Sequence, residues 1–216
     1  MIRLMETFSD PSRTSSPIHH REVPSVPSQT FQIAVLPGDG IGVEVMAEAL
    51  RVMEALQGGM SAVRFDFREV SAGAGEYLKS GNPLPPQTMA ACREADAILL
   101  GAMGLPDVRW PDGREMAPQL DLREQLDLYC GLRPIYLYSA ADTPLKRYQA
   151  GEIDLVIVRE NCEGLFSSRL ERTPADATEV RDKLCISRRG SVRLFRAAFA
   201  EARKRRRKVT LIDKSN

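Results

Sequence analysis

Two cationic side chains follow apolar segments of the chain, where a globular protein could use them for chemistry. Lys214 lies near the end of KVTLIDKSN, which begins with the apolar and β-branched residues typical of a strand. Arg159 follows the apolar run LVIV in the same way. A guanidinium group at a strand end suits carboxylate binding, because its planar fork donates two parallel hydrogen bonds. A lysine there could accept a proton if burial or a neighbouring cation lowers its pKa.

The segment PGDGIG, at residues 37–42, raises the question of a nucleotide site. A dinucleotide-binding turn needs the spacing G-x-G-x-x-G. The glycines here are Gly38, Gly40 and Gly42, and Val43 stands where the third glycine of that pattern should be. No Gly-Lys-Ser/Thr follows, which excludes a P-loop. We therefore predict a tight strand-to-helix turn.

Strands and helices are predicted to alternate around these residues. Short apolar or alternating segments predict strands at 32–36, 65–70, 97–101, 131–138, 153–158 and 208–212. Apolar periodicity predicts helices at 43–57, 74–79, 86–95 and 191–206. The first helix should bury a single face, formed by Val45, Ala49, Val52, Met53 and Leu56. This alternation is typical of an α/β fold with a parallel sheet.

The composition is that of a soluble globular protein, with 216 residues, 43% hydrophobic and 27% charged. A formal net charge of +1 argues against nucleic acid or a membrane as a partner selected by bulk charge. No apolar run approaches the roughly 20 residues that span a bilayer. The basic run 203–208 leaves a nucleic-acid binder open as an alternative, although the last turn of a helix is the interpretation we favour. The four cysteines form no CxxC and indicate reduced, packed thiols.

Five motifs occur in order along the chain: LPGDGIGVEV, LLGAMGLP, LREQLDLYCGLRP, VRENCEGLF and VTLIDKSN. Together they resemble the β-decarboxylating dehydrogenase family, which includes isopropylmalate, isocitrate, tartrate and D-malate dehydrogenases. The resemblance runs from about Gln32 to Asn216 and implies an isopropylmalate-dehydrogenase-like α/β fold of two domains, with parallel and mixed sheets, of which the N-terminal portion is present. We expect a disordered leader at 1–30, an incomplete first domain at 31–119 and an incomplete second, substrate and dimerisation domain at 120–216.

The resemblance also implies a function. It implies oxidation and decarboxylation of a malate-type 2-hydroxy dicarboxylic acid with NAD or NADP and Mg²⁺ or Mn²⁺, in a cytoplasmic homodimer. Lys214 matches the catalytic lysine, which helps remove the hydroxyl proton and reaches the substrate of the partner subunit. The substrate carboxylates would be bound by Arg123, Arg133 and Arg159. The nicotinamide side of the cofactor would lie against Gly101, Ala102, Met103, Gly104, Leu105, Pro106 and Asn216.

Two departures from the family pattern bear on these expectations. Phe166 stands at the position of a tyrosine that protonates the enol after decarboxylation, and Cys162 replaces a threonine as a packing change. The family's metal-binding aspartates and its adenine-binding loop follow the lysine strand, so we expect this chain to lack its metal ligands and to be inactive alone. A catalytically inactive scaffold or interaction domain of the same ancestry is the alternative.

Overall fold

A three-stranded parallel sheet forms the first part of the fold. The computed structural model describes residues 29–174 and 176–212, so most of the predicted leader, Lys214 and Asn216 lie outside the described residues. The strand order is β2-β1-β3. The strands are β1 (Gln29–Leu36), β2 (Val63–Glu69) and β3 (Ala97–Leu100). The first strand includes the last two residues of the predicted leader, because Gln29 pairs with Val63.

The central strand β1 is apolar because helices cover both of its faces. Ala34 and Leu36 pack on one face with Met89, Cys92 and Leu122. On the other face Ile33 and Val35 pack with Met46. The connecting helices are α1 (Ile41–Gly58), α2 (Ala74–Ser80) and α3 (Pro86–Glu94). The prediction of an α/β fold with a parallel sheet is confirmed, because β1 pairs in parallel with both of its neighbours. A strand that is buried on both faces has a continuous apolar sequence, as residues 33–36 do.

Helix α1 presents to the sheet a face that only partly matches the predicted one, of which Ala49 and Met53 are half-buried. Val45, Val52 and Leu56 are 57%, 59% and 52% exposed, whereas Met46 is buried. Leu50 is the next residue along the covered side, one turn after Met46. The helix carries apolar residues on two sides, and the periodicity alone did not identify the side that contacts the strands.

The second part of the fold is built on an antiparallel strand pair. Strands β4 (Cys130–Tyr136) and β5 (Asp154–Glu160) pair along their whole length. Helix α4 (Pro118–Gln125) precedes the pair, and α5 (Arg188–Arg203) packs against β5. The division into domains at 119/120 stays a prediction. Within the described residues, no helix is long and apolar enough to cross a bilayer.

The predicted last strand is wrong as far as the structure describes it. Residues 208–212 form no strand, and Leu211 and Ile212 are 72% and 90% exposed. A β-strand needs a neighbour for its backbone hydrogen bonds, and no described strand pairs with this segment. The preceding basic run is partly neutralised, because Arg205 and Arg206 both form ion pairs with Asp154. The prediction that the run is the last turn of a helix is wrong for most of it, because α5 ends at Arg203 and residues 204–206 form a turn.

Candidate active site

Two glycine-rich turns meet at the carboxyl end of the parallel sheet. Residues 37–40 follow β1 and residues 101–106 follow β3. The chain passes from β1 to β2 on one side and then crosses to β3 on the other. Such a reversal of strand order creates a crevice at the carboxyl ends of the strands, where open α/β sheets bind ligands. The predicted cofactor segment 101–106 follows β3 and therefore lies at this end of the sheet.

The two turns are in direct backbone contact. The N–H of Asp39 donates to the carbonyl oxygen of Ala102 at 2.8 Å. A Cβ added to Gly38 would lie 2.0 Å from that oxygen, and one added to Gly101 would lie 2.0 Å from the carbonyl oxygen of Pro37. The glycines therefore serve the close approach of two backbones, in agreement with the prediction of a tight turn.

Asp39 is a residue of this site that the sequence analysis missed. It is only 6% exposed. Its Oδ2 accepts hydrogen bonds from the backbone N–H groups of Ala74 and Gly104, at 2.7 and 2.8 Å, and its Oδ1 accepts from Gly75 at 2.7 Å. The signal was present in the sequence, since an acidic residue in the middle of a glycine-rich turn has the wrong charge for a phosphate cradle.

Arg133 and Arg159 lie on the same face of the β4–β5 pair. Arg133 is opposite Ile157, and Arg159 is opposite Gly131. Their positions are thus diagonal neighbours two residues apart, a spacing of about 7–8 Å in antiparallel sheets. Long side chains at positions this close on one face can reach two carboxylates of one small molecule.

Arg123 and Phe166 adjoin the segment that follows β5. The carbonyl oxygen of Arg123 accepts a hydrogen bond from the thiol of Cys162 at 3.5 Å. The guanidinium carbon of Arg159 lies 5.5 Å from the centre of the Phe166 ring, a cation–π distance. The structure thus places the backbone of Arg123 against Cys162, three residues after Arg159, and an aromatic ring against the guanidinium group of Arg159.

Arg123, Arg133 and Arg159 have no carboxylate partner among the described residues, whereas several other arginines do. Among residues 29–174 and 176–212, none of their guanidinium groups forms an ion pair. By contrast, Arg169 contacts Asp121 and Glu124. A guanidinium group that has no carboxylate partner among the described residues is a candidate for binding a carboxylate ligand.

Cys162 lies among these groups as a packed thiol. Burial, and next the negative charge of Glu160, raise the pKa of Cys162 above its ordinary value. The thiolate is the nucleophilic form of cysteine, and a raised pKa disfavours it. This result agrees with the prediction that Cys162 replaces a threonine in packing rather than in catalysis.

The described surface around the arginines is open rather than enclosed. A crevice of about 10 Å³ lies beside Phe166 and Arg169, which is too small for a dicarboxylate. A cavity of about 120 Å³ between β1 and α3 contains none of the predicted site residues. In the part of the chain that the structure describes, no three His, Cys, Asp or Glu side chains are placed to hold a metal ion.

The motif VRENCEGLF also holds the start of α5. The carboxylate of Glu163 accepts hydrogen bonds from the hydroxyl of Ser187 at 2.5 Å and from its N–H at 2.9 Å. Ser187 in turn caps the helix, because its hydroxyl oxygen accepts from the N–H of Gly190. These bonds to Ser187 hold the pKa of Glu163 below its ordinary value of 4.5.

Glu163→Gln is expected to lower the free energy of unfolding by about 1–2 kcal/mol at pH 7, because hydrogen bonds to a charged acceptor are lost. Because the folded-state pKa of Glu163 is depressed, the contact stabilises the fold above pH 4.5 and its contribution is lost as the pH falls through the lowered pKa. Urea unfolding from pH 7 to pH 3 should therefore show the variant and the parent converging at low pH. Glu171→Gln, which breaks an exposed pair with Lys183, is the matched control. A constant difference at all pH values would contradict this assignment.

Comparison with known proteins places these motifs in a family. The family model described as isocitrate/isopropylmalate dehydrogenase matches residues 32–216. The 3-isopropylmalate dehydrogenase of Moorella thermoacetica is 41% identical over 192 residues, covering 86% of this chain and 54% of the relative. That of Bacillus caldotenax is 39% identical and covers 86% and 52%. The chain spans about half the length of the curated relatives it matches.

Solved structures agree with the sequence matches. The crystal structure of isocitrate dehydrogenase from Methylococcus capsulatus superposes with a TM-score of 0.68 at 30% identity, covering 82% of this chain and 49% of that one. A β-decarboxylating dehydrogenase from Thermococcus kodakarensis gives 0.57 at 33% identity, covering 81% and 46%. Because the family model matches most of the chain, this chain belongs to the isocitrate/isopropylmalate dehydrogenase family.

Proposed function

We propose that the protein of this chain oxidises and decarboxylates a malate-type 2-hydroxy dicarboxylic acid with NAD or NADP. The observation that supports this most strongly is the shared face of Arg133 and Arg159, whose guanidinium groups form no ion pair among the described residues. Two such groups suit a substrate with two carboxylates. Family membership supports a dehydrogenation, and the names of the relatives support this substrate class.

The proposed chemistry assigns a separate role to each group. The arginines bind the substrate carboxylates and fix the orientation of C2, from which a hydride passes to the nicotinamide as the hydroxyl loses its proton. Lys214 is proposed to accept that proton, and segment 101–106 together with Asn216 to contact the nicotinamide. Loss of CO₂ from the neighbouring carbon then leaves an enol. Mg²⁺ or Mn²⁺ would stabilise negative charge on the substrate, but no described residue is assigned as its ligand.

The nicotinamide role of segment 101–106 has support in the chemistry of its residues. The segment presents exposed Ala102 and Pro106, while Met103 packs back towards the core cluster around Leu36. Small apolar groups and backbone suit the flat face of a nicotinamide ring. A homodimer and a cytoplasmic location are further parts of the proposal, and both rest on the family resemblance.

The proposal is tested by calorimetric titration of the chain with 3-isopropylmalate, isocitrate, D-malate and tartrate. We expect one of them to bind, and Arg159→Lys to weaken it about tenfold, because lysine keeps the charge but loses the bidentate fork. Arg64→Lys, on exposed β2, is the matched control and should leave the affinity unchanged. Formation of NAD(P)H with Mg²⁺ or Mn²⁺ tests the reaction itself in a protein that also contains the metal-binding half, since we expect this chain to be inactive alone. Absence of binding by all four acids would favour the inactive scaffold instead.

Phe166 provides a second test of the sheet face that carries Arg133 and Arg159, which we call the arginine face. Phe166→Leu should weaken binding of the same acid about twofold to fivefold, because it removes a cation–π contact worth roughly 0.5–1 kcal/mol that orients Arg159. Phe166→Tyr keeps the aromatic face and should bind as the parent does. In an enzyme with turnover, the added phenol should speed decarboxylation relative to oxidation, which product analysis would show. If the leucine variant binds the acid as tightly as the parent does, Phe166 does not contribute to binding through Arg159.

A further inference from the structure

We propose that Asp39 is a positioning residue that locks segment 101–106 in the conformation that contacts the cofactor. The inference deepens the proposed function and rests on it for the cofactor role of that segment. Asp39 binds the segment at two points: its N–H donates to the oxygen of Ala102, and its carboxylate accepts from the N–H of Gly104. A residue of the first turn thereby determines the geometry of the turn after β3.

The carboxylate of Asp39 acts as an internal anion. Burying a carboxylate is costly unless hydrogen bonds replace its hydration. No basic side chain in the described part of the chain forms an ion pair with it. Instead, three backbone N–H groups converge on the two oxygens, from the start of α2 and from Gly104. Converging backbone amides are the arrangement by which proteins bind anions, and here a side chain of the chain itself is the anion.

The surrounding glycines show that this arrangement requires close approach. A Cβ added to Gly73 would lie 2.3 Å from Oδ2 of Asp39, and Gly73 also has a φ of +111°. Gly104 has a φ of +117°, a conformation that side-chain-bearing residues rarely adopt. Glycine can adopt many backbone conformations. We therefore assign the choice of this positive φ at Gly104 to the hydrogen bond that its N–H donates to Asp39.

The same contacts determine what can bind beside the two turns. The position between the two turns is filled by the Asp39 carboxylate and by the contact of Gly38 with Ala102. A phosphate group would meet a negative charge there, in contrast to the empty amide cradle of a dinucleotide-binding turn. The outer side of segment 101–106 is left to face a ligand, which fits a nicotinamide rather than a pyrophosphate.

The first measurement is amide hydrogen exchange of the full chain, followed by NMR. Asp39→Asn keeps the shape but removes the charge and one acceptor oxygen, and Asp39→Ala removes every side-chain contact. We expect exchange of the Gly104 and Gly75 amides to rise about tenfold or more in Asp39→Asn. The matched control is Asp96→Asn, because Asp96 also accepts a backbone N–H, from Gln32, without touching the segment. Unchanged exchange in both Asp39 variants would overturn the proposal.

The second measurement is titration with nicotinamide mononucleotide, which probes positioning rather than stability. The parent and Asp96→Asn should bind it equally, and Asp39→Asn about tenfold more weakly while still folded. If exchange rises but affinity stays the same, Asp39 is a structural residue and the positioning role is overturned. If the parent binds no mononucleotide while exchange rises in the variant, the cofactor part of the proposed function fails, and with it the positioning role, whereas the lock on segment 101–106 stands.

Discussion

Gly101→Ala is expected to destabilise the chain by about 3 kcal/mol or more, at the upper end of overpacking substitutions. The added methyl group would lie 2.0 Å from the carbonyl oxygen of Pro37 and 2.8 Å from its carbonyl carbon. Neither atom can move independently, because Pro37 follows the buried strand β1. The N–H of Gly101 also donates to the oxygen of Leu36 at 2.8 Å, which holds the two segments together. Relief of the clash therefore requires separation of β1 from β3.

The matched control for this substitution is Gly58→Ala. Gly58 lies at the end of α1, and a Cβ added there would meet nothing within 4 Å. Alanine is the better helix former by up to about 1 kcal/mol, so this variant should be equally stable or slightly more stable. Urea unfolding followed by circular dichroism measures both free energies. Equal stabilities of the two variants would show that the turns after β1 and β3 are not in tight contact in solution.

Local patterns were sufficient to predict the parallel sheet. The run QIAVL predicted β1 because a central strand covered on both faces must be apolar throughout. The spacing of Gly38, Gly40 and Gly42 excluded a dinucleotide-binding turn, and the structure has backbone contacts at the first and third of these glycines. Such features depend on residues close together in sequence, which is why a single sequence reveals them.

Features that depend on distant partners could not be predicted in the same way. Residues 208–212 have a strand-like composition, but a strand also requires a neighbour, and the described chain supplies none. Helix α1 has two apolar sides, and only the position of the sheet decides which side is buried. The role of Asp39 depends on amides 35 and 65 residues away. In each case the missing information was the identity of a partner.

The arginine face could be predicted only in part. The family resemblance named Arg123, Arg133 and Arg159, and Arg159 was also indicated by its place after an apolar strand. The sequence did not predict that β4 and β5 are antiparallel with Arg133 and Arg159 on one face. That register depends on pairing between residues 18 or more positions apart in the chain, for which no tight turn supplies a signal.

Leu36→Ala is expected to lower the free energy of unfolding by about 2–5 kcal/mol, the range for buried leucines. Leu36 is 0% exposed and lies in the core cluster with Met89 and Leu122, so the truncation leaves a cavity between β1, α3 and α4. Because domains are stable by only about 5–15 kcal/mol, a large part of the total would be lost. Urea unfolding should show a lower midpoint with an unchanged slope, since the surface exposed on unfolding hardly changes.

Leu56→Ala is the matched control, because it makes the same chemical change on the outer side of α1, where Leu56 is 52% exposed. It should cost no more than about 0.5 kcal/mol, as surface substitutions usually do. A similar loss in both variants would contradict the exposure of this side of α1. It would mean that Val45, Val52 and Leu56 are covered in solution, since truncation is costly only where neighbouring atoms cannot close the space that it leaves. The pair of variants therefore tests the depth of the core and the exposure of the helix face with one measurement.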